Sequence, residues 1–84
     1  MENTIRNKLH RVLDGGQFHL YLPVNEWDDA EDLKSYGIRS LDLISLIGLI
    51  ENEFDIKVSG NEMTFENFQS LGAIIRYLKN RISE

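Results

Sequence analysis

The chain has 84 residues, no cysteine, one proline and a net charge of −5. Disulfide staples and thiolate chemistry are excluded, and the acidic balance disfavours nucleic acid, whose phosphates need a basic face. Such a length fits one domain, 1–84, whose core must come from helix packing; 42% apolar residues is ordinary globular composition.

Asn3-Thr4 reads as the cap of a first helix. Ile5, Leu9, Val12 and Leu13 follow at helical spacing as core, Arg6, Lys8 and Arg11 point outward, and Asp14-Gly15-Gly16 stops the helix. His10 falls on or near the solvent side; with no second ligand it reads as a surface histidine rather than a metal site. Residues 1–14 lack an apolar run, so no export leader is expected. The longest apolar stretch, Leu41 to Ile50, carries Asp42 and Ser45 and is too short to span a bilayer. A cytoplasmic protein without membrane insertion is expected.

Residues Gln17 to Val24 alternate, with Phe18, Leu20, Leu22 and Val24 on one side and His19 and Tyr21 on the other. That is a strand period, but no second strand-like run exists to pair with it. The segment therefore reads as an extended loop laying its apolar side over the helices, ended by Pro23. Asn25 to Ser35 is rich in acid: Glu26, Asp28, Asp29, Glu31 and Asp32 against Lys34 alone. A calcium loop fails here, because Trp27 takes the third position, where a ligand is needed, and Ala30 the sixth, where glycine is. The stretch reads as a solvated acidic loop. Trp27 either plugs the loop against the core or faces a partner.

The stretch from Tyr36 to Val58 organises the rest. Leu43, Leu46, Ile47, Ile50 and Phe54 recur at intervals of three and four and mark the inner face of a helix. Leu41, Ile44, Ser45, Gly48 and Asn52 lie on the opposite side. Gly37 takes the turn into this helix and Ser40 stands at its mouth. Taken alone, Ser40 is a helix cap. The helix start also carries unpaired N–H groups and partial positive charge, which suits a phosphate on that hydroxyl.

Asp55 to Val58 is an extended link and Ser59-Gly60-Asn61 a turn. Ser59 with Glu62, and Thr64 with Asn67, are cap pairs for a short third helix holding Phe65 and Phe68. Ser70 caps the last helix, whose buried face is Leu71, Ile74, Ile75, Leu78 and Ile82 with Arg76, Lys79 and Arg81 outside. The result is an all-α fold, a small four-helix bundle with a long first loop and a short third helix. Phe54, Phe65, Phe68 and Tyr77 are expected to crowd its interior, leaving room only for short or polar cargo, or for a chain kept at the surface.

Gly37, Ser40, Leu41, Asp42, Leu46, Ile50, Glu51, Glu53, Phe54, Asp55 and Ile56 together resemble the phosphopantetheine site of acyl carrier proteins. The resemblance covers nearly all of the chain and is strongest from Leu33 to Val58. It implies that a phosphopantetheinyl transferase moves 4′-phosphopantetheine from coenzyme A to Ser40. The thiol of the arm then holds an acyl, aminoacyl or polyketide group as a thioester for loading and processing enzymes, and the carrier itself is a non-catalytic monomer. Docking is implied on Leu41, Asp42, Ile44, Ser45, Gly48 and Glu51. Ser45, Gly48 and Asn52 make this face less acidic than is common in the family, which favours a specialised pathway over general fatty acid synthesis. Arg39 stands where the family usually carries Asp. It is a candidate phosphate contact, and it keeps open the alternative of an unmodified, carrier-like interaction module. Intrinsic catalysis is not expected, since only His10 and His19 are available as bases and no Gly-rich phosphate loop exists.

Overall fold

The computed structural model describes residues 2–82. Four helices carry the fold: α1 (Glu2–Gly15), α2 (Ser40–Phe54), α3 (Phe65–Phe68) and α4 (Leu71–Ile82). Single 3-10 turns at Val24–Glu26, Leu33–Tyr36 and Gly60–Glu62 punctuate the connections. The long helices α1, α2 and α4 share one core, and α3 packs on α4.

Each helix buries the stripe that its spacing defines. Ile5, Leu9, Val12 and Leu13 of α1 meet Leu46, Ile47 and Ile50 of α2 and Leu71, Ile74, Ile75 and Leu78 of α4. Leu43 and Phe54 sit half-buried at the margin of this cluster. Helix α1 already starts at Glu2, so Asn3 and Thr4 lie inside its first turn instead of capping it. The Ser70 hydroxyl accepts from the Ala73 N–H at 3.1 Å and starts α4 as expected. Ile82 is 37% exposed, because the core ends before the last turn of that helix. In α3 the Thr64 hydroxyl accepts from the Asn67 N–H at 3.3 Å. Of the two phenylalanines on this single turn, only one enters the core. Phe68 is buried and Phe65 is 53% exposed, so Phe65 does not crowd the interior.

The first loop starts as irregular chain outside any named strand, with Phe18 and Leu20 laid on the core, the Tyr21 N–H bonded to the Tyr36 carbonyl at 3.0 Å and Val24 buried. Leu22 departs from the pattern. It is exposed, and its carbonyl accepts from the Trp27 indole N–H at 3.0 Å. Trp27 turns inward and stacks on Tyr36, with ring centroids 4.6 Å apart and planes 8° from parallel. The acidic stretch is not simply solvated. Asp29 takes the Arg6 guanidinium with both oxygens, at 3.0 and 2.7 Å, and this bonding holds its carboxyl below the usual carboxylate range. Asp32 accepts from the Lys34 N–H at 2.8 Å, Asp28 from the Ala30 N–H at 2.9 Å, and Glu31 from the Ser35 hydroxyl at 3.0 Å. These carboxylates shape turns, and short polar side chains bonding to nearby backbone do so wherever no helix or sheet satisfies it. Leu33 is buried, and its N–H reaches the Gln69 carbonyl at 2.9 Å. Loop and α4 are thereby tied together.

Candidate functional site

The approach to α2 begins at Gly37, whose φ of 103° only glycine adopts without strain. A Cβ there would lie 2.3 Å from the His19 carbonyl oxygen, so the first loop also needs glycine for its close approach. The Ile38 N–H then bonds the Leu33 carbonyl at 3.2 Å, and the Ile38 side chain is buried. The chain is therefore pinned immediately before Arg39.

Arg39, in extended conformation, is the residue that caps α2, and Ser40 is the first residue of the helix proper. This corrects the reading of Ser40 as the cap. A cap side chain folds over the following N–H groups, whereas a side chain at the first helical position points away from them. The Ser40 hydroxyl is accordingly exposed and, among the described residues, bonds to nothing in the protein. Capping runs backwards instead. The Asp42 carboxylate accepts from the Arg39 N–H at 2.9 Å, and the Arg39 Nε lies 3.6 Å from the same oxygen. Arginine has no acceptor to return, and its side chain is 78% exposed.

The outer row of α2 is open. Leu41 is 80% and Ile44 71% exposed, with Ser45, Gly48 and Asn52 exposed beside them. The two acids expected there as docking charges are used differently. Asp42 turns back to Arg39 and keeps 21% side-chain exposure. Glu51 accepts from the Val58 N–H at 2.8 Å and fastens the link after the helix. Backbone N–H groups at a helix start and in an irregular link need acceptors, and these are the nearest carboxylates. The outer row thus presents apolar and neutral groups.

The contact between Lys34 and Phe65 was not foreseen from the sequence. The Lys34 ammonium lies 5.7 Å from the Phe65 ring centroid and joins α3 to the turn that precedes Ser40. Met63, 49% exposed, adjoins this aromatic edge in sequence. No local signal marked this exposed edge, since Phe65 and Phe68 are three residues apart and share a helix face, yet only Phe68 is buried.

His19 is exposed on the first loop. His10 is half-buried rather than on the solvent side, and its Nε2 is enclosed without a hydrogen-bond partner. Burial, then the neighbouring Arg6 charge, lowers its pKa. Among the described residues no three His, Asp or Glu side chains gather as a metal site.

The residues at the start of α2 fit a phosphodiester. The hydroxyl is free to be esterified, the first N–H groups of the helix have no acceptor within it, and a guanidinium stands one residue away. The phosphopantetheine attachment-site family model matches residues 19–78. Aminoacyl carrier protein 1 of Bradyrhizobium diazoefficiens is 28% identical over 78 residues, which are 93% of this chain and 86% of that protein. A crystal structure of an engineered Bradyrhizobium japonicum glycine:[carrier protein] ligase, complexed with carrier protein from Agrobacterium tumefaciens and ATP, contains a chain of the same fold. Its TM-score is 0.78 at 28% identity, over 89% of this chain and 96% of that one. A family match over most of the chain, on a four-helix fold shared with a carrier protein, shows that the chain belongs to the phosphopantetheine attachment-site family, the carriers whose covalent cofactor is 4′-phosphopantetheine.

Proposed function

We propose that Ser40 carries the 4′-phosphopantetheine arm and that the chain is a non-catalytic carrier of an aminoacyl or related acyl group. The observation behind this reading is the exposed, unbonded Ser40 hydroxyl at the start of a 15-residue helix. The arm supplies a thiol that holds a carboxyl group as a thioester. The chain's own residues present and orient it. Arg39, one residue before Ser40, is the guanidinium nearest in the chain to the phosphate, while Asp42 accepts from the Arg39 N–H and holds the first turn in place.

The partners in this reading are a phosphopantetheinyl transferase and separate loading and processing enzymes. The likeness to an aminoacyl carrier, and to a carrier seen with a glycine ligase, favours aminoacyl loading over polyketide or fatty acid cargo. Leu41 and Ile44, flanked by Ser45 and Gly48, form the docking row. Because Asp42 and Glu51 are engaged internally, that row recognises partners through apolar contact more than through carboxylates, which suits a specialised partner set.

Coexpression with a broad-specificity transferase followed by intact-mass measurement tests the reading. The parent chain gains one phosphopantetheine adduct. Ser40→Ala stays helical and gains none. An adduct on Ser40→Ala would overturn the assignment of that residue. An unmodified parent would favour the second reading, an interaction module in which Arg39 replaces the acid usual at that place.

A further inference from the structure

The first loop comes back to the start of α2, and three contacts fix the place. The His19 carbonyl oxygen is the atom that a Cβ on Gly37 would strike, at 2.3 Å. One residue earlier, Phe18 lines an open hollow together with Asp42 and Ser45 of α2. Two residues later, the Tyr21 N–H bonds the Tyr36 carbonyl. The backbone of His19 is therefore fastened beside the turn that leads into Ser40.

Its side chain is left outside. Phe18 and Leu20 are laid on the core, while His19 between them is exposed. The imidazole makes no hydrogen bond or ion pair among the described residues. Gly37 and Ser40 are three residues apart, a span of at most about 11 Å. An imidazole on one side and a phosphodiester on the Ser40 oxygen can close such a gap.

The charged groups around this place have other engagements. Arg39 keeps its Nε 3.6 Å from the Asp42 carboxylate, which also accepts from the Arg39 N–H. Lys34, in the same turn as Tyr36, lays its ammonium 5.7 Å from the Phe65 ring centroid. Asp14, at the end of α1, lines a hollow with Phe18, Leu20 and Tyr21. The Tyr36 hydroxyl accepts from the Asp28 N–H at 2.8 Å. Imidazole is the side chain whose charge changes near neutral pH, and once protonated it donates from both nitrogens.

We propose that His19 is a positioning residue for the arm, its imidazolium donating a hydrogen bond to the Ser40 phosphodiester alongside Arg39. The root of the arm is then held to the first loop when the imidazole is charged, and is freed when the proton leaves. The inference rests on attachment at Ser40.

The test uses the full chain carrying the arm, with the adduct verified by intact mass, and follows the phosphorus-31 NMR signal of the phosphodiester. A phosphate monoester has a second proton that titrates near neutrality; a diester has none. Movement of the signal between about pH 5.5 and 8 therefore reports a titrating neighbour. The signal is expected to move in the parent and to stay still in His19→Gln, whose amide can donate but does not titrate. A signal that stands still in the parent, or that moves equally in His19→Gln, would overturn the proposal. Absence of any adduct would overturn the Ser40 reading instead, and the role of His19 with it.

Discussion

The first loop and the outer row of α2 begin from similar material and end differently. Both mix apolar residues with acids and small polar groups. In the loop, Val24, Trp27, Leu33, Tyr36 and Ile38 are all buried. On the helix, Leu41 and Ile44 stay 80% and 71% exposed. An irregular backbone can turn each apolar side chain inward separately, provided its own N–H groups find acceptors. The carboxylates of Asp28 and Asp32 supply such acceptors. A regular helix has one inner face, already taken by Leu46, Ile47 and Ile50. Apolar residues on its other side are left for something outside the chain.

That contrast is open to attack by mutation. The largest effect is expected at Trp27. Trp27→Ala removes a buried ring stacked on Tyr36 together with the bond to the Leu22 carbonyl, and should cost about 3–5 kcal/mol in denaturant unfolding. Ile44→Ala should stay within about 0.5 kcal/mol while lowering the rate of loading by a partner. Equal losses of stability at the two positions would erase the distinction between anchored loop and free face.

Gly37→Ala comes next. The positive φ and the approach of the His19 carbonyl leave no room for a methyl group, and a loss of about 2–3 kcal/mol is expected in thermal unfolding. An unchanged melting temperature would mean that the loop does not depend on this turn.

Arg39→Asp sharpens the comparison from the helix side. Aspartate can accept at the cap, where arginine cannot, and the variant should gain about 0.5–1 kcal/mol, measured by urea titration. A transferase suited to ordinary fatty acid carriers should also modify it faster than the parent at low salt, with the advantage shrinking as salt rises. Equal modification rates at low salt would remove Arg39 from recognition.

The smallest effect belongs to the ion pair that staples the loop to α1. Arg6→Leu should cost about 0.2–1 kcal/mol at neutral pH, since both side chains are partly exposed. Asp29 has a lowered pKa in the fold, so the contribution of this pair is complete above the carboxyl's ordinary value of 3.8 and is lost as pH falls through the folded pKa. Parent and variant stabilities should therefore draw together as pH is lowered below 3.8. A gap that persists there would show that Arg6 acts through packing of its stem rather than its charge.

Much of this was legible along the chain. The burial stripes of α1, α2 and α4 follow from spacings of three and four residues, a local periodicity that sequence displays directly. The turn at Gly37, the caps at Thr64 and Ser70 and the exposure of Leu41 and Ile44 are local too. Other features needed partners that no helical period marks, between residues joined by irregular chain or, for Arg6 and Asp29, 23 positions apart. Trp27 turned inward because Tyr36 offered its ring and Leu22 its carbonyl. Asp29 ceased to be a solvated acid because α1 placed Arg6 opposite it. Glu51 left the docking row because the link after α2 brought the Val58 N–H within reach. Ser40 yielded the cap to Arg39 because Ile38, anchored at Leu33, set where the helix begins. Apolar periodicity is written in neighbours one turn apart. The partner of a polar group is chosen by whichever acceptor or donor the fold delivers, and that depends on the whole chain.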